Sequence, residues 1–146
     1  MVVGPAIGGA IFAHVVAQEL DLEVKYNILA AYSEKQPDGT FLLKRGYDEL
    51  VKGRHVIVVE DILTTGGSAA ETVKAVRRAG GIVIGLCAIV NRGGVTREQL
   101  DVPEFHALLD VNLDSWTRDE CPLCKKCVQV NTNVGHGREF LLNHGP

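Results

Sequence analysis

The chain has 146 residues, 15 Lys and Arg against 18 Asp and Glu, a net charge of −3 and an apolar share of 46%. That length suits one domain with a sizeable core, the balanced composition excludes a disordered chain, and the acidic balance excludes a global basic surface for a nucleic-acid backbone. No apolar run reaches the roughly 18 residues that span a bilayer, and the N-terminus lacks the basic stretch and apolar core of a leader, so no nucleic-acid or membrane partner and a cytoplasmic location are expected.

In chain order, Val2-Val3 reads as a strand entering the turn Gly4-Pro5-Ala6-Ile7-Gly8-Gly9, after which Ile11, Phe12, Val15, Val16 and Leu20 recur at helical spacing. Residues 24–31 are short and apolar, a second strand, and 33–45, with Pro37-Asp38-Gly39 at the centre, have the composition of an exposed turn or mobile loop. Residues 55–59 form an almost unbroken β-branched run, the strongest strand. Gly66-Gly67-Ser68 then opens a helix whose Ala69, Val73, Val76 and Ala79 face inward, and Gly80-Gly81 ends it. Residues 82–90 and 106–111 supply two further strands, beyond which a tail rich in Cys, Asn and Gly begins at about Asn112. Strands alternating with helices, apolar on both faces, predict an α/β class: a doubly wound, mostly parallel five-stranded sheet with helices on both faces. In such sheets ligands bind at the carboxyl ends of the strands, so the loops after Val3, Val59 and Val90 are expected on one rim.

The chemistry is concentrated in Val56-Ile57-Val58-Val59-Glu60-Asp61-Ile62-Leu63-Thr64-Thr65-Gly66-Gly67-Ser68. Glycines let backbone N–H groups approach a phosphate, a helix N-terminus favours its charge, and Thr64, Thr65 and Ser68 offer hydroxyls. Carboxylates would repel that phosphate, so Glu60 and Asp61 address something else; the vicinal hydroxyls of a sugar are the natural ligand, since two acceptors take two O–H donors. The competing explanation, that the acids only cap the helix and the glycines only turn the chain, leaves two adjacent carboxylates on a buried strand end without a purpose. The segment is neither a Walker loop, for want of its Lys, nor a dinucleotide fingerprint.

Residues 56–68 resemble the phosphoribosyl-diphosphate (PRPP) signature of the type I phosphoribosyltransferases, in the branch of the orotate enzymes, and the resemblance covers residues 2–111. It implies that fold, with 1–111 as the PRPP-binding core and 112–146 as a Cys-containing tail packing on it, and it implies a hood segment ahead of the pyrophosphate loop, expected to be missing here because Met1 falls within what should be the central strand. It further implies catalytic roles for Asp61, Glu60 and Lys35, a 5′-phosphate cradle of Thr64, Thr65, Gly66, Gly67 and Ser68, pyrophosphate contacts from Ala6, Ile7, Gly8 and Lys35, and base contacts from Arg92 and Thr64. Residues 33–45 match the family's flexible loop, although Tyr32-Ser33 stands where the orotate enzymes carry an Arg-Lys pair; Lys35 is the nearest cation, with Lys44 and Arg45 behind it.

The implied reaction is Mg²⁺-dependent transfer of the phosphoribosyl group from PRPP to a nitrogenous base, orotate above others because a guanidinium at Arg92 suits a carboxylate. The metal would be held by PRPP oxygens rather than by the protein, and a homodimer is implied. The rival is a PRPP- or nucleotide-sensing module of the same fold without turnover. In the tail, Cys121, Cys124 and Cys127 with His136 have residue types that zinc takes, against the plainer reading of reduced surface thiols on a C-terminal hairpin. Cys87 is expected in the core, and His14 and His106 as satisfied structural residues.

Overall fold

The computed structural model describes residues 1–114, 116–117, 119–135 and 137–144. The chain divides into two compact units, Met1–Leu113 and Asp114–Pro146. The first is an α/β unit. Strands β1 (Val2–Pro5), β2 (Ala30–Lys35), β3 (Phe41–Leu42), β4 (His55–Leu63), β5 (Ile82–Asn91) and β6 (Phe105–Asp110) form one sheet in the order β3-β2-β1-β4-β5-β6. All neighbours run parallel except β3, which turns back on β2.

Strands apolar on both faces need cover on both sides, and two helices provide it. Helix α1 (Gly8–Val24) lies over β1, β2 and β4 and buries Ala13 and Ala17 against Val2 and Val59. Helix α3 (Gly67–Arg78) covers the opposite face, where Ala69, Val73 and Val76 join Val56, Val58, Leu63 and Leu86. Gly80, at φ 81°, supplies the left-handed turn that ends α3, and Gly81 N–H closes it on the Val76 carbonyl at 2.9 Å.

Several expectations are corrected. The sheet has six strands rather than five, the additional one being the two-residue β3. The second strand is Ala30–Lys35 and not 24–31, because no Gly or Pro stops α1 before Val24 and the chain leaves it only at Lys25, at φ 54°. Residues 33–45 are less a loop than a hairpin. Ser33 is fully buried, its hydroxyl 2.8 Å from that of Thr72 in α3, and the turn proper spans 36–40, closed by Gln36 N–H on the Thr40 carbonyl. On α1, Ile11 and Val15 point outward at 65% and 49% exposure, and the small residues Gly9, Ala13 and Ala17 face the sheet instead, which lets the helix backbone come close. Cys87 is only half-buried, and His14 and His106 are exposed. Cys87 and His106 line a shallow hollow of about 160 Å³ with Ile84, and Cys87 packs at the edge of the cluster formed by Val2, Ala13, Ala17 and Val59.

The short helix α4 (Arg97–Leu100) follows β5 in the first unit; among the described residues of the second unit there are two short helices, α5 (Pro122–Lys125) and α6 (Gly137–His144), and no strand, rather than the hairpin expected for the tail.

Candidate active site

Because β1, β2, β4 and β5 are parallel, their carboxyl ends meet on one rim, and the sheet order changes direction between β1 and β4. That is where a doubly wound sheet opens a crevice. The rim carries Ala6, Ile7 and Gly8 after β1, Lys35 at the end of β2, Glu60 to Ser68 at the end of β4 and Arg92 after β5. The Ala6–Ile7 peptide is cis.

The first turn of α1 sits directly on the carboxylates. A Cβ on Gly8 would collide with the Asp61 carboxylate, and one on Gly9 would press on Pro5 and come within 3.2 Å of Glu60 Oε1. Only glycine permits this approach. Asp61 is half-buried, with Oδ1 accepting from Ile62 N–H at 2.9 Å, whereas Glu60 is 7% exposed. Burial first, then the hydrogen bond and charge shared with Asp61, pushes the Glu60 carboxyl up to about 8. At neutral pH the inner carboxyl of Glu60 is therefore protonated, with Asp61 beside it at the rim.

This has a measurable sign. Glu60 keeps its proton in the fold up to about pH 8 but loses it near 4.5 when unfolded. Between those values the unfolded state binds fewer protons, so stability falls as pH rises through that window. At about 1.4 kcal/mol per unit, thermal unfolding of the unliganded protein is expected to register a loss of a few kcal/mol between pH 5 and 8. Glu60→Gln should flatten the profile; an unchanged slope in that variant would assign it to another group.

The candidate phosphate cradle follows on the same strand. Thr64, Thr65, Gly66, Gly67 and Ser68 line a hollow of about 130 Å³ with Glu60 and Leu63. Gly66 stands at φ 75° as the residue before α3, wedged against Val95 and Leu100, where a Cβ would come within 2.8 Å of Val95. The first turn of α3 contains no acidic residue, and helix geometry leaves its leading N–H groups without intrahelical acceptors. An anion is the complement of that end. A wider cleft of about 630 Å³ lies elsewhere, between β3, α2 (Tyr47–Val51) and the end of α3, where Asp48 and Glu49 face Lys52 and Arg78.

Arg92 opens the turn after β5, its N–H bonded to the Leu63 carbonyl at 2.9 Å. Its Nε is buried and, among the described residues, without a hydrogen-bond partner. Asn91 builds the turn: its amide donates to the Val95 carbonyl at 3.0 Å and to Asp110 at 2.9 Å, while its carbonyl accepts from Val95 N–H at 3.0 Å. Gly93 lies so close to the Thr64 carbonyl that no Cβ could stand between them. Of the candidate cations, Lys35 is exposed at the rim end of β2, whereas Arg45 is engaged with Glu34 at 2.9 Å.

The structure thus brings Asp61, Glu60, Lys35, the Ala6-Ile7-Gly8 turn, the loop from Thr64 to Ser68 and Arg92 to one rim. Cys121, Cys124 and Cys127 belong to the second unit, and His136 lies outside the described residues. No group of three His, Cys, Asp or Glu among the described residues is placed to hold a metal ion. The hydrogen bond from Cys124 N–H lowers the Cys121 thiol below its ordinary pKa, and Lys125 adds to the shift.

The family model of the phosphoribosyl transferase domain matches residues 1–115. The chain belongs to the phosphoribosyltransferase family. It is 40% identical over 130 residues to the orotate phosphoribosyltransferase of Caldanaerobacter subterraneus subsp. tengcongensis, covering 89% of this chain and 63% of that protein. It is 37% identical over 135 residues to the orotate phosphoribosyltransferase of Sulfurimonas denitrificans, at 85% and 63% coverage. The chain thus spans about 63% of the length of these relatives. Among solved structures, the Mycobacterium tuberculosis H37Rv orotate phosphoribosyltransferase in complex with PRPP superposes with a TM-score of 0.53 at 29% identity, over 75% of this chain and 61% of that one. The Aeropyrum pernix orotate phosphoribosyltransferase gives 0.59 at 24% identity over 75% and 59%, a likeness of fold.

At three positions that shape the site, sequence reading missed what the residue does. Asn91 and Gly93 were visible only as members of the turn around Arg92, and Thr72 as a hydroxyl on the buried stripe of α3. Their partners lie far along the chain, or in the case of Asn91 across the turn, so only the fold reveals what they do. No described helix is long and apolar enough to cross a membrane.

Proposed function

We propose that this phosphoribosyltransferase transfers the 5-phosphoribosyl group of PRPP to orotate, giving orotidine 5′-monophosphate and pyrophosphate in pyrimidine nucleotide biosynthesis. The observation that carries the choice of base is the buried, unpartnered Nε of Arg92 on the rim that also holds the carboxylates and the phosphate cradle. A guanidinium held this way suits a planar carboxylate by paired N–H···O bonds, and orotate has one where uracil has none.

In this reading Thr64 to Ser68 hold the 5′-phosphate against the start of α3, and Asp61 and Glu60 take the ribose hydroxyls. As the bond from C1′ to pyrophosphate breaks and a ring nitrogen of the base bonds to C1′, positive charge develops on the ribose, and the Asp61 carboxylate is placed to stabilise it. Glu60, protonated, can donate to one hydroxyl as well as accept from another. The Ala6, Ile7 and Gly8 turn offers backbone groups to the departing pyrophosphate, and Lys35 offers it a charge from the neighbouring strand. The oxygen chemistry of the rim fits a hard cation: Asp61 presents a carboxylate to a site where PRPP would bring most of the ligands, in keeping with the preference of Mg²⁺ for phosphate and water oxygens. When bound, Mg²⁺ would neutralise charge on the leaving pyrophosphate.

We further propose that the chain works as a homodimer in the cytoplasm. Ile7, Ile11 and Val15 stand exposed at 78%, 65% and 49% beside the pyrophosphate turn, apolar surface that pairing would cover. Nothing observed favours a sensing module without turnover.

The reading is tested by turnover of the chain with PRPP and Mg²⁺ across orotate, uracil, adenine and guanine, alongside thermal unfolding. A ligand that binds only the folded state raises stability by about 2.7 kcal/mol at a hundredfold excess over its dissociation constant, so a clear rise in Tm with millimolar PRPP and Mg²⁺ is expected. No rise would remove the ribose-phosphate site; a rise with turnover of purines alone would keep it and remove orotate.

A further inference from the structure

The phosphoribosyl-transfer site leaves one chemically active cluster unused, Cys121-Pro122-Leu123-Cys124-Lys125-Lys126-Cys127. Its spacing is ambiguous, since Cys121 with Cys124 and Cys124 with Cys127 both stand three residues apart. The fold resolves it. Cys121 is extended, at φ −63° and ψ 118°, and Pro122 immediately turns the chain into α5. That single turn brings Cys124 back over Cys121, so that Cys124 N–H donates to Cys121 Sγ at 3.5 Å. Cys127 is past the end of α5 and in the left-handed region at φ 54°, bonded through its N–H to the Cys124 carbonyl at 3.0 Å.

We infer that Cys121 and Cys124 form a redox-active dithiol that a low-molecular-weight disulfide converts to an intramolecular disulfide, with Cys121 as the attacking thiol. Cys121, as its thiolate, attacks one sulfur of the small disulfide, forming a mixed disulfide and expelling one small thiolate. Cys124 gives up its proton to solvent and attacks Cys121 Sγ, closing the protein disulfide and expelling the second small thiolate. Two protein thiols are oxidised and one small disulfide is reduced to two thiols, so electrons balance. The N–H bond to Cys121 Sγ favours the thiolate that begins the sequence, and both thiols reach the surface. Cys87 provides an internal contrast, since it is half-buried in β5 and burial pushes its thiol up, away from the reactive form.

The test uses the full chain, reduced and then equilibrated with oxidised and reduced glutathione, quenched with acid, alkylated and mapped by peptide mass, with zinc content measured beforehand. The expected result is loss of two alkylatable thiols and a linked Cys121–Cys124 pair, with Cys87 still alkylated. Cys127→Ser should retain the linkage in full, and Cys124→Ser should stop at a glutathione adduct on Cys121. A predominant Cys124–Cys127 linkage, adducts on separate thiols with no linkage in the parent chain, or stoichiometric zinc that blocks oxidation would each overturn the assignment. Because the parent chain and Cys127→Ser decide it between them, poor folding of Cys124→Ser leaves the outcome readable. Loss of PRPP binding, by contrast, would bear on the proposed function alone.

Discussion

Asp61→Asn is expected to leave the fold intact while lowering turnover by on the order of a hundredfold or more, the scale on which removal of one preorganised electrostatic group slows an enzyme. The fold survives because Asp61 is half-buried at the rim, and an amide oxygen can still accept the 2.9 Å bond from Ile62 N–H. The rate falls because the substitution removes negative charge where the ribose turns positive, an interaction stronger in the transition state than in the bound substrate. The loss should therefore appear in kcat more than in KM for PRPP. Glu60→Gln provides the comparison: if Glu60 is already neutral at pH 7, as its pKa of about 8 requires, its amide should cost less at that pH and more above it. Steady-state rates of both variants at pH 7 and pH 9, with far-UV circular dichroism for the fold, check the argument. Normal turnover in Asp61→Asn would refute the assigned roles.

The second large effect is on the choice of base. Arg92→Ala should erase most of the preference for orotate over uracil while changing PRPP affinity little, because Arg92 lies after β5 and the phosphate cradle after β4. Truncating one partner of a buried, hydrogen-bonded charge pair costs about 2–5 kcal/mol, which corresponds to a selectivity loss of about thirtyfold at the least. Arg92→Lys should recover little, since a point charge lacks the planar fork that meets both carboxylate oxygens. Ratios of kcat/KM for the two bases provide the measurement. Unchanged selectivity in Arg92→Ala would leave a phosphoribosyltransferase of unassigned acceptor.

Much of this site was legible because its chemistry is local. Glu60, Asp61 and the run from Thr64 to Ser68 sit within nine consecutive residues, so one strand end and one helix start place them all. The order of the parallel strands then brings Ala6 to Gly8 and Arg92 alongside, as alternation of strand and helix predicted. Reading failed where a partner far along the chain decided the outcome. Residues 33–45 carry the composition of a loop, yet Ser33 is drawn into the core by Thr72, 39 positions away. On α1 the bulky residues Ile11 and Val15 suggested the inward face, but the close approach of helix to sheet selects Gly9, Ala13 and Ala17. Cys87 lies at the edge of the core rather than within it and His106 is exposed, since periodicity within a strand does not say how far the covering helix extends.

The contact between Gly93 and the Thr64 carbonyl turns two loops into a caliper. One jaw, running from Thr64 into α3, grips the phosphate in the proposed reading; the other, carrying Arg92, meets the far side of the base. With the loops in van der Waals contact and the second tied down by Asn91, the span between the jaws is set by the backbone rather than by the ligand. A nucleotide is then gauged end to end, and a widening of the base jaw would be felt at the phosphate. Any side chain at position 93 would push the jaws apart and spoil both grips together, so that weakened phosphate binding and altered base choice would be inherited as a single defect.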